Sequence, residues 1–229
     1  MMTGFMPIRP ALFLAASAFL LLACGNGDDA DTAKSVAGAG EAAPQSAQDI
    51  AGIAYKIAPT GRYVLDKNHG YITFSYSHKG YSNPFLRWRN WDAVLDWNGE
   101  DPTQSSVSVR IQAADIDSGV DAFDAHLTSA DMFEAEAFPE ITFVSTQITK
   151  NDDRTGVVTG DLTMKGQTHP VSLDVVFNKA GEGREPGTYI IGFSGRTKIL
   201  RSQWGIGYAV PFVGDEVDII VEVEFHSAP

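Results

Sequence analysis

The feature that most constrains this chain is a period of two. From Gly61 onward, apolar and polar residues alternate in about eight segments bounded by Gly, Pro, Asn and Asp, the pattern of antiparallel strands with one apolar face. Residues 71–78 set Ile72, Phe74, Tyr76 and His78 on one face and Thr73, Ser75 and Ser77 on the other. Residues 216–226 set Val217, Ile219, Val221, Val223 and Phe225 together, with Asp218, Glu222 and Glu224 toward water. Between them come 86–97, 106–116 with Val107, Val109 and Ile111 inward, and 141–150 behind Pro139. A hairpin of 157–164 and 169–178, closed around Lys165, Gly166 and Gln167, precedes 188–199, where Tyr189, Ile191 and Phe193 share a side.

Eight strands joined by short turns predict an all-β fold, an extended eight-stranded antiparallel lipocalin-like β-barrel that removes its edges by closure. A two-sheet sandwich is the alternative. One connection, 117–138, is too long for a turn. Its Val120, Phe123, Ala125, Leu127 and Met132 follow helical spacing, which predicts one or two short helices lying across a barrel end. Trp88 and Trp91 are an odd number of residues apart, so a regular strand puts them on opposite faces. With Trp91, Ala93, Leu95 and Trp97 inside, Trp88 is expected at the mouth.

The N-terminus has different chemistry. Arg9 is the only charge before the apolar run 11–22, and small residues follow, which is the layout of a secretory signal. The run is too short for a comfortable membrane span. Leu21-Leu22-Ala23-Cys24 resembles the lipobox of bacterial lipoproteins, which implies removal of residues 1–23 and lipidation of Cys24 as a membrane anchor. Gly25 rather than Asp after the cysteine points to the outer membrane, facing the periplasm. Residues 24–56 are rich in Gly, Ala, Ser, Gln and Asp, a flexible tether, and 57–229 form the folded domain. Cys24 is the single cysteine, so intrachain disulfides and Cys-cluster metal sites are excluded. A formal net charge of -12 argues against nucleic acid as a partner.

Four stretches carry a family resemblance. They are Tyr63-Val-Leu-Asp66 with His69 and Ile72-Thr-Phe74; His126-Leu127 with Ser129-Ala-Asp-Met-Phe133 and Phe138-Pro-Glu-Ile-Thr-Phe143; Gly160-Asp-Leu-Thr-Met-Lys-Gly166 with Thr168; and Arg201-Ser-Gln-Trp-Gly-Ile206 with Val213-Gly-Asp-Glu-Val217. Over residues 63–225 the chain resembles the YceI-like, polyisoprenoid-binding family of exported bacterial proteins. The resemblance implies an elongated apolar tunnel for an isoprenoid quinone, a polyprenyl phosphate or a fatty-acid derivative, with no catalytic cofactor, and it allows a homodimer. Two departures stand out: Thr128 where the family has Arg, and the bulky, basic Ser82-Asn-Pro-Phe-Leu-Arg-Trp-Arg89 in place of a glycine-containing turn.

Binding a long tail needs little polar machinery, because each buried methylene contributes about 0.8 kcal/mol. The candidate ligand-binding residues are Phe74, Tyr76, His78, Phe85, Trp91, His126, Phe133, Phe143, Phe193, Trp204 and Phe212, each of which also serves as ordinary core filler in a small barrel. Arg87 and Arg89 could receive an anionic head group, or pair at the surface with Asp92 or Glu100. The histidines His69, His78, His126, His169 and His226 lack close metal-ligand spacing, though His78 and His126 could meet in space. No Gly-x-Ser-x-Gly elbow, phosphate-cradling glycine loop or HExxH motif occurs. Arg201 is expected to tie a turn that Trp204 closes. The reading is a non-enzymatic carrier of an apolar long-chain lipid. Its rivals are a redox or enzymatic participant acting on a bound quinone, and a structural lipoprotein with a filled barrel.

Overall fold

The structure, a computed structural model, describes residues 54–228; the signal, Cys24 and most of the tether lie outside the described residues. Among the described residues, eleven strands form one antiparallel sheet. They are β1 (Gly61–Leu65), β2 (Tyr71–His78), β3 (Phe85–Trp88), β4 (Trp91–Trp97), β5 (Ser106–Gln112), β6 (Ile116–Asp117), β7 (Glu140–Lys150), β8 (Thr155–Met164), β9 (Gln167–Glu182), β10 (Tyr189–Leu200) and β11 (Val213–Ser227). The ring β1-β4-β5-β7-β8-β9-β10-β11 closes through β1 against β11, an eight-stranded barrel. The remaining three strands are continuations: β2 prolongs β1, β3 leads into β4, and β6 prolongs β5. The crossover from β6 to β7 carries one short helix, α1 (Asp121–Leu127).

The three interruptions fall side by side. Residues 66–70 separate β1 from β2, both of which pair with β11. There Asp66 organises the turn: its carboxylate accepts from the Asn68 backbone N–H at 2.9 Å and meets the His69 ring at 2.7 Å. Gly70 is required by close approach, since a Cβ there would stand 2.6 Å from Leu65 Cδ1 and 2.9 Å from Trp91 Cζ2. In the next strand the break is Arg89 and Asn90, whose backbone bonds to Asp115 O and from Gln112 N bridge to the break between β5 and β6. This break overturns the expectation for Trp88. With the register reset after it, Trp88 and Trp91 are both buried, 7% and 5% exposed.

The β8–β9 hairpin turns on two residues, Lys165 and Gly166, both with positive φ (48° and 69°), the conformation whose twist matches the flanking strands. Gln167 already belongs to β9. The domain also starts slightly before the predicted boundary. Ala54–Ile57 make one 3-10 turn, and the Tyr55 ring packs edge-on against Trp97 and Phe177.

The hydrogen bond from His69 holds the Asp66 carboxyl below its ordinary value, and the same bond, with the charges of Asp66 and Glu224, raises the His69 imidazole. The pair is strongest with Asp66 ionised and His69 protonated. Its contribution is lost as pH falls through the depressed Asp66 pKa, and lost again as pH rises through the raised His69 pKa. An NMR titration of His69 is expected to show a midpoint above the ordinary imidazole value of about 6.5, returning toward it in Asp66→Asn. A midpoint indifferent to that substitution would break the link.

Candidate functional site

The alternation of apolar residues turns a layer of side chains into the barrel, yet several remain only partly buried. Val107, Val109, Leu173, Phe193, Val221 and Val223 all face inward and are all half-buried. Their exposure is to internal space. Two cavities occupy the barrel, one of about 240 Å³ toward β4, β5 and β7 to β10 and one of about 520 Å³ bounded by β2, α1, the segment after β10 and the start of β11. Trp88, Met164 and Ile219 line both, so the cavities are neighbouring compartments of one apolar interior. Taken together they fall in the size range of small-molecule sites.

The compartments differ in polarity. The smaller is apolar along its length, and its charged residues belong to one turn, Lys150 to Thr155. There Lys150 Nζ reaches the Tyr55 hydroxyl at 3.3 Å and Asp153 at 3.4 Å, and the Tyr55 bond is the main cause of its raised pKa. Asp152 accepts from the Thr155 hydroxyl and from the backbone N–H groups of Arg154 and Thr155. The larger compartment mixes Phe74, Leu127, Met132 and Phe133 with Tyr76, His78, Ser82, His126, Arg201 and Tyr208.

Arg201 is the most constrained of these. It opens a 3-10 turn, Arg201–Trp204, that ends on Gly205 at φ 73°. Although 7% exposed, its guanidinium donates to four carbonyl oxygens: Gly214 (2.9 Å), Ile206 (2.7 Å), Tyr208 (3.0 Å) and Val213 (3.0 Å). Burial is the chief influence on it and lowers its pKa, and the Tyr76 phenol is pushed up chiefly by burial. The neighbouring Asp215 carboxylate is engaged by the Ser202 N–H and hydroxyl. Trp88 packs on Phe74 (ring centroids 4.7 Å apart) and meets Phe133 edge-on at 5.6 Å. Among the described residues, its buried indole N–H has no hydrogen-bond partner.

Of the residues predicted from sequence, Phe74, Tyr76, His78, His126 and Phe133 line the larger compartment, and Trp91, Phe143 and Phe193 the smaller. Three do not line either. Phe85 and Phe212 are 67% and 77% exposed, Phe85 because β3 turns it to the outer face. Trp204 is fully buried, donating to Leu162 O at 3.1 Å and stacking edge-on with His169. Arg87 and Arg89 pair with neither Asp92 nor Glu100. Both direct Nε to Asp117, at 2.8 and 2.9 Å, and these bonds, Arg89 first, hold that carboxyl far below the carboxylate range. The fold also gathers ligand atoms of Asp66, His69 and Glu224 within 4.8 Å, a grouping that linear spacing conceals and that the Asp66–His69 bond accounts for. Sequence reasoning missed Met164 and Tyr55 as cavity walls and set Ile219 on the apolar face without naming it for the ligand; parity placed Trp88 at the mouth rather than between the compartments, and Tyr55 follows a stretch without strand pattern.

The YceI-like domain model matches residues 63–225. The chain is 35% identical over 165 residues to a UPF0312 protein of Azotobacter vinelandii, covering 71% of this chain and 85% of that one. It is 34% identical over 147 residues to a UPF0312 protein of Pseudomonas syringae pv. tomato, covering 63% and 76%. Among solved structures it is similar to the YCEI protein of Campylobacter jejuni (27% identity, TM-score 0.61, 65% of this chain and 87% of that). It shares a fold with Burkholderia cenocepacia BcnA (23%, 0.62, 70% and 98%), and with a polyisoprenoid binding domain from Saccharophagus degradans (16%, 0.54, 73% and 98%).

Proposed function

Because the chain belongs to the YceI-like domain family, we propose that it is a membrane-anchored periplasmic protein that sequesters or carries one long apolar lipid, polyisoprenoid or fatty-acyl, without chemically altering it. The observation that carries this reading is the inward layer of half-buried side chains around two compartments sharing Trp88, Met164 and Ile219. A barrel filled by its own side chains would have buried them. Each half-exposed apolar side chain forgoes contact energy that a tail would restore, at about 0.8 kcal/mol per methylene, so a ten-carbon tail gains roughly 8 kcal/mol before association costs. The polyisoprenoid binding described for the Saccharophagus degradans domain agrees with such a cargo. Cleavage before Cys24, lipidation of that residue and the tether to residue 56 would hold the barrel near the outer membrane that supplies or receives the lipid.

Mass spectrometry of the full chain purified from its native membrane tests both parts. Under native conditions, one lipid per barrel is expected; under denaturing conditions, the chain should begin at an acylated Cys24. A barrel that is empty and also rejects added quinone, polyprenol and fatty acid would overturn the carrier function. An unmodified cysteine would overturn the anchor.

A further inference from the structure

The pairing that closes the barrel, β1 against β11, gathers a set of side chains on the outer face that lipid binding does not use. Asp66 directly follows β1, and its backbone N–H bonds to Glu224 O at 2.9 Å, while His226 stands opposite Val64. Glu224 and His226 flank the buried Phe225, so both point outward from β11. The turn after β1 brings His69 back over the same spot. Asp66 Oδ2 lies 2.7 Å from His69 Nδ1 and 3.4 Å from His226 Nε2, and His69 Nδ1 lies 3.9 Å from Glu224 Oε2. On β10 the residue opposite Glu224 is Gly192, and a Cβ there would meet nothing closer than 3.8 Å, so that flank of the cluster is open.

Two features set this cluster apart from an ordinary surface ion-pair network. Among the described residues, neither Asp66 nor Glu224 has a lysine or arginine within ion-pair distance; their partners are His69 and His226. Lys67, next to Asp66 in sequence, is turned away to Asp92 at 2.7 Å. The second feature is independent of charge. His226 Nε2 is enclosed, faces the Asp66 carboxylate, and among the described residues has no hydrogen-bond partner, which costs free energy that coordination would recover. The Asp66 carboxylate is itself held in place, because its other oxygen accepts from the Asn68 N–H at 2.9 Å, the kind of support that orients a ligating carboxylate.

We propose that Asp66, His69, Glu224 and His226 form a site for one divalent transition-metal ion of the zinc class, which clips the closing seam of the barrel on its outer face. Two imidazoles and two carboxylates are a ligand set that zinc takes in tetrahedral geometry, with ligand atoms about 3.3 Å apart, and the spacings of 2.7, 3.4 and 3.9 Å straddle that value. The side chains of His69, Glu224 and His226 are 60%, 44% and 43% exposed, so they are free to make the small shifts required. The ion takes the place of the proton between His69 Nδ1 and Asp66 Oδ2, which leaves to solvent, and its double charge balances the two carboxylates. Imidazole nitrogens select against magnesium and calcium, which prefer oxygen alone. Because Asp66 and His69 belong to the turn after β1, and Glu224 and His226 to β11, the ion bridges the two strands that complete the ring. The site lies apart from both compartments and is independent of the lipid that occupies them.

The test uses the full chain stripped with EDTA and titrated calorimetrically with zinc chloride, then with magnesium and calcium chloride. One zinc ion per chain is expected to bind with micromolar affinity or better, and magnesium and calcium at least about a hundredfold more weakly. His69→Gln and His226→Gln are each expected to weaken zinc binding about tenfold or more, and the double variant to abolish it. A second readout follows the seam. Zinc at about a hundredfold over its Kd is expected to raise the Tm of the wild-type chain by about 5 °C or more and to leave the double variant unmoved. Circular dichroism of the metal-free variants keeps loss of the site distinct from loss of the fold, since all four side chains stand on the outer face. Absence of zinc binding, or equal binding by a folded double variant, overturns the site. Magnesium or calcium binding as tightly as zinc overturns the ligand set, and zinc that binds at this site without raising Tm overturns the clip.

Discussion

Replacing Gly195 with phenylalanine is expected to abolish binding of long-tailed ligands while leaving the barrel folded. Gly195 lies in β10 between Phe193 and Thr197, and all three line the smaller compartment. A Cβ at this position would meet Leu173 Cδ2 and Val221 Cβ at 3.6 Å and Val175 Cγ2 at 4.0 Å, ordinary van der Waals contacts, so the backbone tolerates a side chain. Beyond the Cβ, a phenyl ring has to take up space in a cavity of about 240 Å³, space the tail would otherwise use. Excluding about four methylenes removes about 3 kcal/mol, roughly a 200-fold loss in affinity. Aromatic residues also suit strands better than glycine, so thermal stability should hold or rise. Titration with acyl chains of increasing length gives the readout: affinity should stop rising with length in the variant, while short chains housed in the larger compartment bind almost as before. Unchanged affinity for long chains would mean that the tail does not enter the smaller compartment.

Arg201→Met is expected to produce the largest loss of stability. The substitution keeps most of the apolar stem and removes donors from four carbonyls, those of Gly214, Ile206, Tyr208 and Val213. At about 1 kcal/mol per buried hydrogen bond left unmade, the loss comes to roughly 3–4 kcal/mol. For a domain of this size that corresponds to a fall of about 10 °C in Tm. Thermal unfolding followed by circular dichroism measures it. Arg201→Lys retains the charge, but a single ammonium cannot span carbonyls on both sides of the loop, so an intermediate Tm is expected. A change of only a degree or two for Arg201→Met would show that the segment from Gly205 to Phe212 is held by its other contacts.

Much of this architecture was legible in the sequence because β-structure writes itself in alternation. The inward sets Phe74 and Tyr76, Val107 and Val109, and Ile219, Val221 and Val223 follow directly from period-two reading, and the same residues line the cavities. Strand count survived for a related reason: each interrupted strand keeps its direction across the break, so Gly61–Leu65 and Tyr71–His78 act as a single barrel stave. Legibility failed where parity is reset or a side chain's course depends on distant partners. Trp88 changes face at Arg89 and Asn90, and no local signal distinguishes that break from an ordinary polar pair. Arg87 and Arg89 find Asp117 across 30 and 28 residues, beyond the reach of spacing rules. Phe85 and Phe212 are as aromatic as Phe74, but their strand and loop positions turn them outward.

By itself, then, the sequence determined the class of fold, the inward face of most strands and the family, since these depend on local periodicity and on motifs that are contiguous in the chain. Only the tertiary structure decided that the interior is divided into two compartments, that Trp88 lines both, and that Arg201 is tied to four backbone carbonyls in the wall of the larger one. Volume and hydrogen-bond satisfaction are sums over residues brought together from many strands, and no stretch of chain contains either.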